Sequence, residues 1–263
     1  MEQTLRQYTD LFSLKGKKAL VAGGAGGIGT AISEALCAAG ATVYLSARDM
    51  AKAEKAAQEI RKKGGDAHAA VLAVDEIPVM QEQVAAICRQ ADGIDIVVNS
   101  VGMHVETAAE EYKEADWDKV IDVNLKAAFY LSQAIAKDQL ARKIKGKHIH
   151  ISSVRSILAL RRGYISYCAS RGGMNMMIKQ LATEWGKYGI TVNGIGPTFT
   201  RTSLVAEYLE DPAFYEPLVA RIPLGRVCEP SDVAALAMYL ASPASDFVTG
   251  QIVFVDGGIT ACQ

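Results

Sequence analysis

The feature that most constrains the fold is a regular alternation of short, almost wholly apolar runs with longer amphipathic stretches. The apolar runs are rich in β-branched residues, and each has the length of a single strand. They cover residues 17–24, 41–48, 66–74, 94–100, 148–153, 191–197 and 252–258. Strands that are apolar on both faces are typical of parallel sheets covered by helices on each side. The sequence therefore predicts an α/β fold, with a doubly wound, seven-stranded parallel sheet inside three α/β/α layers.

Helical patterns lie between these runs and are clearest at residues 49–63, 116–142 and 166–188. Asp49 and Ser166 stand at the starts of two of them, where a short polar side chain can cap free backbone N–H groups. No internal repeat or low-complexity linker divides the chain. We therefore predict a single domain over residues 1–263.

Two segments fall outside this alternation. Residues 1–15 precede the first strand and are predicted to form an N-terminal arm. Residues 198–229 follow the sixth strand and carry three prolines, Pro212, Pro217 and Pro223. A long insertion after the carboxyl end of a strand lies where α/β folds bind their ligands, which predicts a lid over the substrate. The alternative is a plain surface excursion.

The composition argues against several classes of function. The formal net charge is -1, without the basic excess of nucleic-acid-binding domains. No apolar run approaches the roughly 20 residues of a membrane span, and the N-terminus shows no apolar leader core. The cysteines are scattered without a C-x-x-C pair, and His148 and His150 lack a third ligand that could be placed beside them. We expect a cytoplasmic protein without a metal that binds neither nucleic acid nor membrane.

A glycine-rich turn follows the first strand and leads directly into a helix. Gly24, Gly26 and Gly29 fit G-x-G-x-x-G, and Gly23, Gly27 and Gly29 fit G-x-x-x-G-x-G. Small residues let the backbone approach a pyrophosphate, and the helix N-terminus offers it free N–H groups and partial positive charge. The turn predicts dinucleotide binding, with a tight turn that holds no ligand as the alternative.

The tip of the second strand bears on the choice of dinucleotide. An acidic residue there would bond the adenosine ribose of NAD, whereas an arginine pairs with the 2′-phosphate of NADP. The acidic position is Ala47 here, and Arg48 follows it. Gly26 occupies a position where a second basic residue could have helped to bind the 2′-phosphate. We therefore predict NADP, with NAD left open.

A second constellation consists of Ser153 at the end of a strand, with Tyr167 and Arg171 four residues apart on one helix. Hydride transfer at a carbinol carbon needs a group that takes or gives the proton of the oxygen. An ordinary tyrosine has a pKa near 10, and a fixed cation beside it favours the phenolate. A serine hydroxyl can hold the substrate oxygen. The pattern predicts a dehydrogenase or reductase.

Residues 15–258 resemble the short-chain dehydrogenase/reductase family, which has a Rossmann-like fold. Segments along the whole chain carry the likeness: Ala22–Gly29, Asp75, Asn99–Gly102, Val120–Asn124, Ser153, Tyr167, Gly196-Pro197 with Thr202, and Asp256–Gly258. The order and spacing are most similar to sugar-acid and polyol dehydrogenases of the gluconate 5-dehydrogenase type. The resemblance also implies a homotetramer, with the helices over 116–142 and 166–188 at the subunit contact.

The resemblance carries roles to individual residues. The implied catalytic set is Asn124, Ser153, Tyr167 and Arg171. The implied cofactor-binding set is Gly23, Gly27, Ile28, Gly29, Arg48, Asp75, Asn99, Gly102, Tyr167, Arg171, Pro197 and Thr202. Substrate contacts are expected from Ser153, His104, Arg155 and Tyr167.

Two positions depart from the family pattern. Ser153 lies fourteen residues before Tyr167, one more than usual, which leaves Ser152 open as an alternative. Arg171 stands where the family has its catalytic lysine, and arginine keeps the positive charge but is a poor proton relay. The chain is then an active enzyme with a relay that bypasses position 171, a slow or unusually tuned enzyme, or a dinucleotide-binding protein with little catalysis.

Basic residues gather near the expected pocket: Arg155, Arg161, Arg162 and Arg201. They suggest an anionic substrate held by Arg155 or His104, and the alternative is a solvated or subunit-contact surface. The predicted function is hydride exchange between NAD(P) and a secondary alcohol or ketone of a sugar acid, polyol or other hydroxy or keto compound.

Overall fold

The computed structural model describes residues 5–203 and 205–262. Its strands are β1 Lys18–Ala22, β2 Thr42–Ala47, β3 Ala67–Val71, β4 Ile96–Asn99, β5 Lys147–Ile151, β6 Thr191–Pro197 and β7 Ile252–Val255. They form one parallel sheet in the order β3-β2-β1-β4-β5-β6-β7. The predicted doubly wound sheet is confirmed, and its strand order reverses between β1 and β4, where such folds open a crevice.

The helices of the described residues are α1 Arg6–Asp10, α2 Gly27–Ala38, α3 Met50–Lys62, α4 Ile77–Ala91, α5 Glu114–Ile121, α6 Ala127–Arg142, α7 Ile165–Trp185, α8 Ala206–Glu210, α9 Pro212–Val219 and α10 Pro230–Ala241. Short 3-10 turns cover Ala109–Glu111, Val154–Ser156, Gly186–Tyr188 and Pro243–Ser245. None of these described helices is both long and apolar enough to cross a membrane.

Successive strand residues pack into opposite helical layers, which explains why the strands are apolar throughout. Val21 belongs to the core shared with α2, α3 and α10, whereas its neighbour Leu20 packs towards α4 and α6. Val98 and Val97 repeat this division on β4. Because side chains alternate along a strand, both faces of the sheet are buried, and the three predicted layers follow.

Helix boundaries differ from expectation at two places. The predicted helix 116–142 is interrupted by a π-helical turn, Asp122–Lys126, between α5 and α6. The helix expected to open at Ser166 begins at Ile165, and Ser166 is buried in a hydrogen bond with the Tyr112 hydroxyl. Asp49 does cap α3, because its side chain accepts from the Ala51 N–H.

The segment 198–229 folds into α8 and α9 around a small apolar cluster of its own. Leu209, Leu218 and Ile222 are buried there against Val154, which follows β5. This packing places the segment over the carboxyl end of the sheet, where the predicted lid would have to lie. Of the predicted N-terminal arm, residues 1–4 lie outside the described residues, and Leu14 at its other end is fully buried.

Candidate active site

A cleft of about 740 Å³ opens at the carboxyl ends of β1, β4, β5 and β6. Most of the predicted site residues line it: Gly27, Ile28, Gly29, Arg48, Gly102, His104, Ser153, Arg155, Tyr167, Arg171, Pro197 and Thr202. Four others do not, namely Gly23, Asp75, Asn99 and Asn124. The chain folds so that residues from six separate segments meet in one place.

The glycine turn forms a cradle with no room for side chains. A β-carbon on Gly27 would come 2.5 Å from the Thr202 methyl group, and one on Gly29 would meet the Gly23 carbonyl oxygen. Gly23 has φ of +75°, a conformation that favours glycine. Gly26 caps α2 without a side-chain bond, so the first N–H groups of the helix remain available. These features fit a dinucleotide pyrophosphate. Gly23 does not line the cleft and contributes through the backbone conformation of the turn.

Two cationic side chains line the cleft near the end of β2, and only one of them was predicted from the sequence. Arg48 is exposed and lies 4.0 Å from the Asp75 carboxylate. Lys52, in the first turn of α3, lines the same end of the cleft. Its place in the cleft depends on how α3 leaves the sheet, so only its nearness to Arg48 in the sequence could have pointed to it.

Tyr167 lies at the centre of the cleft and is surrounded by rings and one cation. Its ring centroid is 6.2 Å from that of His104 and 6.1 Å from that of Tyr164, both edge-on. The guanidinium carbon of Arg171 lies 5.0 Å from the same ring. The site therefore places a fixed positive charge against the face of the tyrosine ring.

The two serines after β5 face different partners. The Ser152 hydroxyl donates to the Asn175 side chain on α7 at 2.7 Å, which commits it to that helix. The Ser153 hydroxyl accepts from the Arg155 N–H at 3.1 Å, so its own proton is free to be donated into the cleft. This geometry favours Ser153 as the residue that holds a substrate oxygen.

Arg171 is buried at 4% exposure. Its Nη1 donates to the Ile151 carbonyl at 3.2 Å and lies 3.7 Å from the Met174 sulfur. A β-carbon on Gly102 would overlap its Nη2 atom. The guanidinium is therefore fixed by backbone and packing, and no carboxylate pairs with it among the described residues.

Asn124 lies within the π-helical turn and ties it to two other elements. Its Oδ1 accepts from the Met103 N–H, and its Nδ2 donates to the Met103 carbonyl, both at 2.8 Å. Nδ2 also donates to the Ser170 hydroxyl on α7 at 3.0 Å. Asn99 acts similarly within its own loop, where its side chain accepts from the Val101 N–H. Both asparagines therefore fix backbone segments next to the cleft without lining it themselves.

Of the four clustered arginines, one lines the cleft. Arg162 donates to Glu106 at 2.6 Å, Arg201 donates to Glu229 at 2.9 Å, and Arg161 is exposed outside the cleft. Arg155 is buried, donates to the Ala159 carbonyl at 3.1 Å and lies over the Phe199 ring at 5.9 Å. Burial lowers the pKa of its guanidinium, and nearby Arg221 adds to that effect.

Sequence reasoning missed the aromatic wall beside Tyr167. Tyr164 is buried, and its ring lies 4.9 Å from that of His104. Burial, with Glu106 nearby, raises the pKa of Tyr164 to about 12. Phe199 also lines the cleft. The available signal was that these aromatic residues stand close to a predicted catalytic residue and a cofactor residue.

The pair His148 and His150 serves the core. His148 shares a hydrogen bond with Gln139 and His150 with Ser132, and both rings are buried in the layer between β5 and α6. Within the described ranges, no group of three or more His, Cys, Asp or Glu side chains could hold a metal ion. Both histidines are therefore hydrogen-bonded parts of the core.

Comparison with known proteins identifies the family. The family model described as enoyl-(acyl carrier protein) reductase matches residues 23–260. Gluconate 5-dehydrogenase of Gluconobacter oxydans is 36% identical over 253 residues, covering 96% of this chain and 98% of that protein. The 5-keto-D-gluconate 5-reductase of Escherichia coli K12 is 36% identical over 250 residues, covering 95% and 98%.

Solved structures agree with the sequence relatives. A gluconate 5-dehydrogenase from Burkholderia cenocepacia, in complex with NADP and tartrate, superposes with a TM-score of 0.93. It is 36% identical, and the match covers 97% of this chain and 100% of that one. The bound NADP of this relative agrees with the expected cofactor, and the comparisons give no support to the alternative of a binding protein without catalysis. The chain belongs to the short-chain dehydrogenase/reductase family and is an NAD(P)-dependent oxidoreductase acting on CH–OH groups.

Proposed function

We propose that the protein exchanges hydride between NADP and a secondary alcohol or ketone carbon of a sugar acid, and that Arg155 binds the carboxylate of this substrate. The observation that carries the proposal is the buried Arg155 guanidinium, which lines the cleft without a carboxylate partner among the described residues. A buried, unpaired cation is costly, and an anionic ligand supplies the missing partner. The sugar-acid substrates named for the relatives support this assignment.

The cradle residues would hold the cofactor. Gly27 to Gly29 and the N-terminus of α2 take the pyrophosphate, while Arg48 and Lys52 take the 2′-phosphate that distinguishes NADP from NAD. Asp75 lies beside Arg48 near the adenosine end, and Pro197 and Thr202 lie at the nicotinamide end. The bound nicotinamide supplies the hydride acceptor or donor.

Two residues act on the substrate oxygen, and Arg171 supports one of them. Tyr167 takes its proton during oxidation and returns it during reduction, and the positive charge of Arg171 favours the phenolate that this requires. Ser153 donates a hydrogen bond to the same oxygen. The Ser153 hydroxyl oxygen already accepts from the Arg155 N–H, and its own proton remains for the substrate. Asn124 acts indirectly, as a positioning residue that holds the Met103 backbone next to His104.

The proposal also includes a lid and a subunit assembly. Residues 198–229 cover the substrate as a lid, and the chain works as a cytoplasmic homotetramer. The helices α5, α6 and α7 form the subunit contact, and their exposed apolar residues support this assignment, among them Trp117, Leu140 and Met176.

The test follows the absorbance of reduced nicotinamide with NADP and NAD against sugar acids and the matching neutral polyols. Wild type is expected to prefer NADP and sugar acids, and Arg155→Gln to lose about 10- to 100-fold in kcat/KM for sugar acids alone. Arg155→Lys, which keeps the charge, should retain part of the preference. Arg161→Gln, outside the cleft, is the matched control. Equal activity of wild type on neutral polyols would exclude the carboxylate site.

A further inference from the structure

Each turnover leaves one proton on Tyr167 or removes one from it, so the tyrosine must exchange protons with solvent. On the α7 side its neighbours cannot do this. Arg171 carries a guanidinium, which has donors only and no atom that accepts a proton. Asn124 has both amide hydrogens engaged, by the Met103 carbonyl and the Ser170 hydroxyl. The Ser170 hydroxyl in turn donates to the backbone carbonyl of Tyr167.

The loop after β4 brings a titratable group next to the Tyr167 ring. His104 lines the same cleft, is partly buried and lies edge-on to Tyr167 with the ring centroids 6.2 Å apart. The Tyr164 ring lies next to both, 4.9 Å from His104 and 6.1 Å from Tyr167. Because both side chains line one cleft, one water or one substrate hydroxyl between them would connect the Tyr167 oxygen to an imidazole nitrogen.

We infer that His104 carries the proton between Tyr167 and solvent and thereby replaces a relay through position 171. The inference rests on the proposed hydride-transfer function and gives His104 a role beyond substrate contact. During oxidation the substrate O–H bond breaks and its proton moves to the Tyr167 phenolate, while the carbinol hydrogen leaves as hydride to the oxidised nicotinamide. Tyr167 then passes the proton through the bridging water to His104, which releases it to solvent. Reduction runs the same steps backwards.

The groups around His104 suit this task. Burial lowers its pKa below the usual 6.5, Arg162 lowers it further, and Glu106 acts in the opposite direction. Glu106 is itself engaged by Arg162. Tyr164 stays protonated, since its pKa is raised to about 12. A lowered pKa favours the neutral imidazole, which has an unprotonated nitrogen to accept a proton.

The experiment compares wild type, His104→Gln and the control His68→Gln, whose ring lies at the β3 edge of the sheet. Any secondary alcohol or ketone that wild type turns over serves as substrate, because all of them need the same proton. His104→Gln is expected to lower kcat about tenfold or more, with KM changed less than about twofold. Added imidazole should restore its kcat and leave the other two proteins unchanged. The acid limb of the wild-type pH profile should vanish in His104→Gln.

A second measurement is independent of turnover. NMR titration of labelled histidines in the NADP complex should place the His104 pKa below 6.5. A His104 that stays charged above pH 7 contradicts the inference. So does an unchanged kcat, a rise in KM alone, or a lost kcat that imidazole fails to restore. Loss of the sugar-acid preference alone contradicts the proposed substrate and leaves this inference standing.

Discussion

At the scale of single residues, the site separates two tasks that one lysine commonly combines. Arg171 supplies a fixed positive charge 5.0 Å from the Tyr167 ring. Its Nη1 bond to the Ile151 carbonyl and its 4% exposure keep it in place. The charge is permanent because guanidinium does not release its protons. In the proposed mechanism, position 171 supplies electrostatic support and proton exchange uses another group.

The first prediction concerns this charge. Arg171→Met keeps much of the volume but removes the cation, so kcat at pH 7 should fall about 100-fold or more because the phenolate loses its support. Arg171→Lys restores the charge and should stay within about tenfold of wild type, although it gives up the guanidinium packing. Steady-state kinetics of the two variants gives the answer. Equal loss in both would show that the shape of Arg171 matters rather than its charge.

Buried histidines predict how stability depends on pH. Burial, with the Arg171 charge, lowers the pKa of His150 to about 4, and burial lowers that of His148 to about 3. Below about pH 6.5 the unfolded chain binds protons that the folded chain excludes. The free energy of unfolding should therefore fall as the pH drops from 6.5 towards 4. Urea unfolding should show a shallower decline for His150→Asn, whereas the exposed control His68→Asn should follow wild type. Parallel declines in all three would contradict this assignment.

At the scale of elements, one arginine joins three pieces of the cleft. Arg162 pairs with Glu106, from the loop after β4, at 2.6 Å. Its guanidinium also lies over two aromatic rings of the segment 198–229, Tyr208 in α8 at 5.3 Å and Phe214 in α9 at 5.5 Å. Contacts of this kind are each worth about 0.5–1 kcal/mol at exposed sites. Together they connect the proposed lid to the body of the cleft.

Breaking this connection should loosen the lid. Arg162→Ala is expected to raise KM about 3- to 10-fold with a smaller change in kcat, because substrate is held less well while Tyr167 and Ser153 remain in place. Hydrogen exchange of residues 205–220 should become faster. Lys62→Gln, which breaks an exposed ion pair with Glu59 on α3, is the control. Unchanged exchange in the segment would show that Arg162 does not restrain it.

Some elements could be predicted from the sequence, and others could not. The strands could be predicted because burial on both faces leaves long apolar runs. The π-helical turn could not, since it depends on Asn124 reaching the Met103 backbone, far away in sequence. Ser153 could be separated from Ser152 only by the bond to Asn175. Lys52 was missed because its place beside Arg48 depends on how α3 leaves the sheet.

At the scale of the whole molecule, α5, α6 and α7 share one helical layer and expose several large apolar side chains. Met176 on α7 is 62% exposed, and Trp117 on α5 is 38% exposed. Apolar residues grouped on one face are typical of a surface covered by another protein chain. Association there would bury the outer side of the helix that carries Tyr167.

Assembly can be tested at this face. Wild type should elute as a tetramer in size-exclusion chromatography with light scattering, and Met176→Glu should give smaller species because it buries a charge in the contact. Met50→Glu, at an apolar residue of α3 in the opposite layer that is 49% exposed, should remain tetrameric. A tetramer unaffected by Met176→Glu would place the contact elsewhere.

Gly102 and Arg171 restrict each other in a way that bears on how such a site can change. A β-carbon at position 102 would overlap the Arg171 Nη2 atom, and the buried guanidinium has little freedom to withdraw. The order of substitutions therefore matters: alanine at 102 becomes tolerable only after position 171 has been shortened, and arginine at 171 can arise only where 102 is already glycine. A single-site mutant library would score Gly102→Ala as damaging, whereas the same change introduced with Arg171→Lys would be far milder. The residue present at one position therefore limits which residues the other position can accept.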